Sequence, residues 1–287
     1  MARDSKTEVA AVNLRIPSVK RRNYAALLQL LYDQRTPIQI YGDSHLVITH
    51  FDPESNLGVF SKYTEIEIDG NWFDIEKLGE ASPEDVGKIA IPAKLKPNFS
   101  QFYFTLDEKL HAVAFEVYSD SKSLSLKGVA RYFEKSLAEK AVRDQFGRVE
   151  STIVSSYQGA RKLLQLPDIK EVRIIIRRPN SDDISDDLAA VMEERLSQQN
   201  ADEYEEILKA KGPEALKPNS RTKELATVAA ENGDVVVQSV VNGVRTRHRS
   251  SDTPLKEMQK HKADEAALPL FYSLAKRIFN KMRTARA

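Results

Sequence analysis

The segment 234–249 limits how this chain can fold more narrowly than any other part of its sequence. It consists of a valine-rich run and an arginine-rich run joined by Asn242 and Gly243. Asn-Gly between two such runs is a strong signal for a two-residue β-hairpin, because both residues tolerate the positive φ angles of a type I′ turn. The sequence therefore predicts a hairpin in which Val241 pairs with Val244.

Alternation of side chains along the second strand of this hairpin places its arginines on one face. Residues two apart on a strand are separated by about 7 Å, so their guanidinium groups can follow the phosphates of a nucleic-acid strand. The alternative is that they pair with acids of the same chain. The predicted contact residues are Arg245, Arg247 and Arg249, while Val235, Val237, Val241 and Val244 cover the opposite face.

Charge in the last third of the chain is sorted by position. Residues 181–214 carry eleven acids and three bases, whereas residues 245–286 carry eleven bases and four acids. The net charge of +1 for the whole chain therefore conceals an acidic segment followed by a basic one. Two such segments either pair with each other or present an open charged surface to a partner.

A basic amphipathic helix is predicted at 268–284. Leu270, Leu274 and Ile278 recur at helical spacing and predict a buried stripe. The opposite face of the helix is basic and extends the predicted binding surface. The predicted partner is a nucleic acid, single strands included, or a nucleic-acid-binding protein. Its candidate contact residues are Lys276, Arg277, Lys281 and Arg283.

Hydrophobic periodicity over the whole chain predicts an α+β protein with three units. Residues 1–100 predict a mixed sheet with one helix, capped by Asn23 and running to about Gln34. Residues 101–180 predict a sandwich like a split βαβ fold, either separate from the first unit or continuous with it. Residues 181–287 predict an acidic helix, followed by the hairpin and the basic helix. The acidic helix is expected to start at Asp182 or Asp183, to carry Tyr204 and Leu208 on its apolar stripe, and to break near Gln198.

The boundaries of the individual elements follow from the same periodicity. In the first unit, strands are predicted at 8–16, 37–41, 44–51, 57–63 and 64–75, the last turning at Asp69-Gly70. In the second unit, strands are predicted at 101–106, 109–118, 148–154 and 169–178, with helices at 123–145 and 156–165.

Composition excludes several classes of function. The chain has no cysteine, so it has no disulfide, thiolate nucleophile or cysteine-ligated metal. It also lacks the glycine patterns that bind phosphates and the histidine pair of zinc proteases, so no cofactor and no metal are expected. No apolar run reaches the roughly 18 residues of a membrane span, and the polar N-terminus is unlike a secretory signal, which predicts a cytoplasmic protein without membrane contact.

Two alternatives to nucleic-acid binding stay open. Asp85, Asp107 and Lys109 resemble the acids and lysine of Mg²⁺-dependent nucleases, although a short triplet of this kind also arises by chance in a solvated turn. The second alternative is a structural homo-oligomer, in which the acidic segment of one subunit binds the basic tail of another.

Four sets of segments in this chain form a recognisable pattern. They are Ile91-Pro92 with Leu95-Lys96-Pro97-Asn98, Leu110-His111-Ala112-Val113-Ala114-Phe115-Glu116, Arg178-Pro179-Asn180 with Asp182-Asp183, and Ala229-Ala230-Glu231-Asn232-Gly233. Together they resemble an uncharacterised family of bacterial and prophage proteins of about this length, and the resemblance covers most of the chain. None of these motifs has an assigned chemistry. The resemblance implies a setting in which prophage cargo excludes competing phages, for example by interfering with their replication.

Overall fold

The computed structural model has the α+β architecture that the sequence predicts. It describes residues 4–17, 21–67, 70–119, 121–179, 188–262 and 265–286. The strands are β1 (Asp4–Arg15), β2 (Ile38–Tyr41), β3 (Ser44–Asp52), β4 (Leu57–Thr64), β5 (Phe73–Asp74), β6 (Gly79–Glu80), β7 (Ser100–Asp107), β8 (Ala112–Ser119), β9 (Lys122–Ser123), β10 (Glu150–Ile153), β11 (Ile169–Arg177), β12 (Glu203–Lys209), β13 (Gly233–Val241), β14 (Val244–Arg249) and β15 (Lys256–Lys262). The helices are α1 (Tyr24–Gln34), α2 (Pro83–Val86), α3 (Leu126–Leu137), α4 (Lys140–Phe146), α5 (Tyr157–Leu163), α6 (Leu188–Gln198), α7 (Ser220–Asn232) and α8 (Ala267–Arg286).

A large antiparallel sheet forms the centre of the protein, with the order β10-β1-β8-β7-β4-β3-β2. The long strand β1 pairs with β8 on one side, and with β15 and then β10 along its other side. Because β15 comes from the end of the chain, strands from residues 1–100, 101–180 and 181–287 all contribute to this sheet. The division of the chain into three units stays a prediction.

Both faces of the large sheet are buried. Along β1, Val12 and Leu14 point to a core shared with α1, α3 and α4, whereas Val9 and Ala11 point to a second core beneath α8. Successive strand residues point to opposite faces, so a strand that is apolar at every position requires a layer on each side. The predicted amphipathic helix, observed as α8, supplies the second layer with Phe271 and Ile278.

A small antiparallel sheet with the order β12-β11-β13-β14 lies beside the large one. Its inner face packs against α5 and α7 through Val172, Ile174 and Val235. The opposite side, here called the outer face, is formed by the alternate residues of each strand. These are Glu203, Glu205, Ile207 and Lys209 of β12, Glu171, Arg173, Ile175 and Arg177 of β11, Asp234, Val236, Gln238 and Val240 of β13, and Arg245, Arg247 and Arg249 of β14.

A buried polar junction joins the two sheets. The Glu231 carboxylate, at the end of α7, accepts hydrogen bonds from the Tyr157 hydroxyl and from Arg286 Nε, the latter at 2.8 Å. Arg286 also donates to the carbonyl oxygen of Leu110, between β7 and β8, at 3.2 Å. Burial, and then the neighbouring Glu231 carboxylate, raise the pKa of Tyr157 well above its ordinary value, so the phenol stays protonated and donates. The junction thereby ties α8, on the large sheet, to α5 and α7, on the small one.

Helix α1 confirms its sequence prediction closely. The Asn23 side chain accepts a hydrogen bond from the backbone nitrogen of Ala26 at 2.8 Å, and the helix ends at Gln34. The helix predicted at 123–145 is instead divided into α3 and α4. The reason is visible in the spacing from Leu137 to Val142, which is five residues and would rotate the buried stripe away from the core if the helix were continuous.

The prediction of an acidic helix after residue 181 is wrong for the residues beyond Gln198. Helix α6 ends at Gln198, where the sequence predicts a break, but the chain then enters β12. Tyr204 and Leu208, assigned to a helical stripe, lie on alternate positions of a strand that pairs with β11. Pairing with a neighbouring strand overrides the local pattern here. The predicted helix start at Asp182 and Asp183 lies outside the described residues.

Other strands also differ from the sequence prediction. The strand predicted at 64–75 is absent over residues 65–67, and a short pair of strands, β5 and β6, is found after them. Asp69 of the predicted turn lies outside the described residues. The strand β15 was not predicted. The strands predicted within 101–180 divide between the sheets, since β11 belongs to the small one.

Candidate nucleic-acid interface

The hairpin of β13 and β14 has the predicted register. Val241 pairs with Val244, and Val236 pairs with Arg249. Asn242 and Gly243 have φ angles of 50° and 78°, which are the positive values that a type I′ turn requires. The prediction is therefore confirmed, and β14 forms one edge of the small sheet with its arginines on the outer face.

Arg249 of the hairpin has a structural role. Its guanidinium forms an ion pair with Asp234 at 2.7 Å, and that carboxylate is nearly buried. Asp234 also accepts a hydrogen bond from the Ser250 hydroxyl at 2.7 Å and one from the backbone nitrogen of Ser251 at 3.2 Å. This network fixes the turn that follows β14, so Arg249 is held by its own chain.

Arg245 and Arg247 differ from Arg249 in having no ion-pair partner among the described residues. Both are exposed, and no carboxylate of the described residues forms an ion pair with either of them. Val241 and Val244 at the tip of the hairpin are also exposed, at 41% and 64%. The end of β14 nearest the turn thus has two guanidinium groups without a described carboxylate partner on the outer face, and exposed valines on the opposite face.

Strand β11 adds two arginines to the same outer face. Val236 of β13 pairs with Arg249 on one side and Arg173 on the other, so these arginines share a face. Arg173 lies 3.1 Å from Glu205, and Arg177 lies 3.8 Å from Glu203. Both remain partly exposed. Neither arginine was predicted as a contact residue, although the pattern Arg173-Ile-Ile-Ile-Arg177 places both on one face of the predicted strand.

The basic residues of α8 lie on its exposed side, and most of them have a partner within the described residues. Lys281 forms an ion pair with Glu257, and Arg283 forms one with Asp107. Arg277 donates a hydrogen bond to Gln259 at 3.1 Å. Lys276 is exposed, with no ion pair to a described residue. The structure therefore does not place the predicted α8 residues beside β14, which belongs to the other sheet.

The acidic segment also finds partners other than the basic hairpin. Glu193 lies 2.8 Å from Arg178, while Glu203 and Glu205 pair with the arginines of β11. Strands β12 and β14 are opposite edges of one sheet, so they cannot pair within a subunit. Within the described ranges, the acidic and basic segments do not pair with each other, and the basic residues do not form one fully open surface. Some of the bases have an ion-pair partner, and others have none among the described residues.

Asp107, a residue of the nuclease alternative, has structural contacts on both carboxylate oxygens. One oxygen accepts hydrogen bonds from the backbone nitrogens of Lys109 and Leu110, each at 3.1 Å, and the other contacts Arg283. Asp85 lies on α2, where hydrogen bonds from the Ser82 hydroxyl and from Lys88 lower its pKa to about 2. Within the described ranges, no group of three potential metal ligands is found.

Replacing Asp107 with alanine tests this structural role. We expect a loss of about 1 to 2 kcal/mol in the free energy of unfolding, because the turn between β7 and β8 loses its side-chain acceptor and Arg283 loses its partner. Urea denaturation measures the change. Glu108→Ala, at the exposed neighbouring position, serves as the control. Equal stability of the two variants would show that the Asp107 contacts contribute nothing.

No helix in the described ranges is both long enough and apolar enough to cross a membrane. Residues 5–276 match the protein-family model described as Domain of unknown function (DUF4747). No curated protein matches the chain.

Proposed function

We propose that this chain, which belongs to the DUF4747 family of unknown function, binds nucleic acid through the outer face of its small sheet. The observation that carries the proposal is the state of Arg245 and Arg247. They are exposed, share a face of an edge strand, and have no carboxylate partner among the described residues. Lys281, Arg283 and Arg286, by contrast, each have one.

The geometry of β14 favours an extended, flexible ligand. The two free guanidinium groups lie about 7 Å apart along the strand, as alternate residues of a β-strand do. Guanidinium groups bind phosphate oxygens with two parallel hydrogen bonds, and displacement of counterions from the phosphates supplies the free energy of binding. Arg173, which is level with Arg249 across the sheet, and Arg177 add further positive charge to the outer face, partly neutralised by Glu205 and Glu203.

The side chains on the outer face indicate what such a protein recognises. The residues of the outer face include Ile207, which is 40% exposed, and no tryptophan, tyrosine or phenylalanine. Base stacking on aromatic rings is therefore not available on this face, and contacts to phosphate dominate. Phosphate contacts carry no sequence information, so we expect weak sequence preference and a strong dependence on salt.

Reversing the two free charges tests the proposal. We expect Arg245→Glu combined with Arg247→Glu to weaken the affinity for a single-stranded DNA or RNA oligonucleotide by about 10-fold to 100-fold, because two charged contacts are lost. Fluorescence anisotropy at fixed salt measures this affinity, with duplex DNA of the same sequence compared in parallel.

The matched control combines Arg131→Glu with Arg143→Glu. These arginines are exposed on α3 and α4, over the large sheet, and the control changes the net charge by the same amount. If the control loses as much affinity, the effect comes from the overall charge of the protein and not from Arg245 and Arg247. Unchanged affinity in the Arg245 and Arg247 variant would contradict the proposal. The phage-exclusion role implied by the resemblance stays a prediction.

One observation favours self-association as a second candidate. The opposite edges of the small sheet are acidic in β12 and basic in β14, so the β14 edge of one subunit is complementary in charge to the β12 edge of another. In that case the wild-type protein forms larger species at low salt that dissociate as salt rises. Light scattering of the wild type and of the Arg245 and Arg247 variant distinguishes the two functions.

A further inference from the structure

A cavity of about 670 Å³ lies beside the start of α3, away from the outer face of the small sheet. Its walls come from β2, β3, β4, β9, β10, α3, β15 and the segment between β14 and β15. A volume of this size is in the range of pockets that hold small ligands. Its lining combines cationic, hydroxyl and apolar side chains, which limits the ligands that fit.

Three lysines from three different elements line this cavity. Lys62 extends from β4, Lys127 from α3 and Lys256 from β15, against a single acid, Asp252. Lys62 donates to the carbonyl oxygen of Ser123 at 2.6 Å, and burial lowers its pKa below the ordinary value. An anion in the cavity would offset the cost of burying this ammonium group.

The other two lysines are open to a ligand. Lys127 is exposed and forms no ion pair with a described residue. Lys256 is 3.8 Å from Glu8, a long and partly exposed pair. Exposed pairs of this kind contribute little, so a phosphate can compete for the lysine. The cavity therefore has an excess of positive charge that its own acid does not balance.

Part of the remaining lining is apolar, beside four serines. Ile40, Leu126, Ile153 and Pro254 face the cavity, and Tyr41 stands at its rim with 81% of its surface exposed. An aromatic ring that packs against nothing is free to stack on a planar ligand, and such stacking stabilises bound bases by about 1 to 3 kcal/mol. Cationic groups and an exposed ring thus surround one space.

We propose that this cavity binds a mononucleotide, with its phosphate against Lys62, Lys127 and Lys256 and its base against Tyr41. The lysines supply charge, the apolar wall covers the ribose and base, and Tyr41 closes the open side. This site is separate from the arginines of β14, and it does not depend on the function proposed for them.

Calorimetric titration of the full chain tests the site with defined probes. Adenosine 5′-monophosphate and uridine 5′-monophosphate are compared with adenosine and with inorganic phosphate. We expect at least one mononucleotide to bind more tightly than both adenosine and phosphate, because only a mononucleotide engages the lysines and Tyr41 together. Absence of binding of both mononucleotides at millimolar concentration, or an affinity no higher than that of inorganic phosphate, would overturn the proposal.

Variants assign the binding to the cavity. Lys127→Met and Lys62→Met each remove a charge and keep an apolar stem, and we expect each to weaken mononucleotide binding by about 10-fold. Tyr41→Ala weakens mononucleotide binding but leaves the affinity for phosphate unchanged. Lys140→Met, at an exposed position outside the cavity, is the control. Binding by Lys127→Met and Tyr41→Ala that equals the wild type overturns the assignment.

The combined change of Arg245 and Arg247 to glutamate separates this site from the outer face. We expect this protein to bind mononucleotides as the wild type does, even where its affinity for oligonucleotides is lost. A parallel loss of both activities would place mononucleotide binding on β14 and contradict the cavity site.

Discussion

The Glu231→Ala protein is expected to unfold with a free energy about 3 to 5 kcal/mol lower than that of the wild type, because it loses the acceptor at a buried junction. The Glu231 side chain is only 5% exposed and receives hydrogen bonds from Tyr157 and Arg286. Without it, the largely buried guanidinium group of Arg286 loses the Glu231 carboxylate and keeps its hydrogen bond to the Leu110 carbonyl. Removing one partner of a largely buried ion pair is among the most costly changes in a folded protein.

Urea denaturation measures this effect, and Glu224→Ala is its control. Glu224 lies on the same helix with its side chain 59% exposed, so its loss should change the free energy of unfolding by about 0.5 kcal/mol or less. Combining Glu231→Met with Arg286→Met removes both charges, and we expect this pair to be more stable than Glu231→Met alone. A Glu231→Ala protein as stable as Glu224→Ala would show that the junction does not hold the sheets together.

Gly233→Ala is expected to lower the free energy of unfolding by about 3 kcal/mol, the upper range for inserting an extra methyl group into a packed site. A β-carbon at this position would lie 1.9 Å from the carbonyl oxygen of Ile175, in the neighbouring strand. The obstacle is backbone, so no side chain can rotate away, and β11 and β13 must separate where Ile176 pairs with Gly233. The φ angle is extended, so the cost is steric rather than conformational.

Thermal or urea unfolding of Gly233→Ala and of Gly79→Ala provides the comparison. Around Gly79, the nearest atom to an added β-carbon is the Lys77 carbonyl oxygen at 3.9 Å, an ordinary contact distance. We expect little change in the control. If both variants have the same free energy of unfolding as the wild type, the two strands do not approach each other closely at Gly233.

Local features of the fold could be predicted from the sequence, and non-local ones could not. The hairpin at Asn242-Gly243 and the cap at Asn23 depend on residues close in the chain, and both are found as predicted. Strand β12 depends on pairing with β11, and β15 on pairing with β1, far away in the sequence. No local pattern contains that information, so β12 was assigned to a helix and β15 was not found.

The candidate site shows the same limit. Alternation places Arg245, Arg247 and Arg249 on one face, and the structure agrees. Which of them is free depends on tertiary contacts, since Arg249 binds a carboxylate fifteen residues earlier in the chain. Arg283 likewise meets Asp107 only because α8 packs beside the turn after β7. Charge counts along the sequence cannot separate such occupied bases from free ones.

The salt dependence of oligonucleotide affinity tests the central claim most directly. Each phosphate contact with a single strand contributes a slope of about −0.7 to the logarithm of the binding constant against the logarithm of salt concentration. If Arg245 and Arg247 each contact a phosphate, neutralising both as Arg245→Gln with Arg247→Gln makes the slope shallower by about 1.4. Identical slopes for the wild type and this variant would contradict the claim that β14 binds nucleic acid.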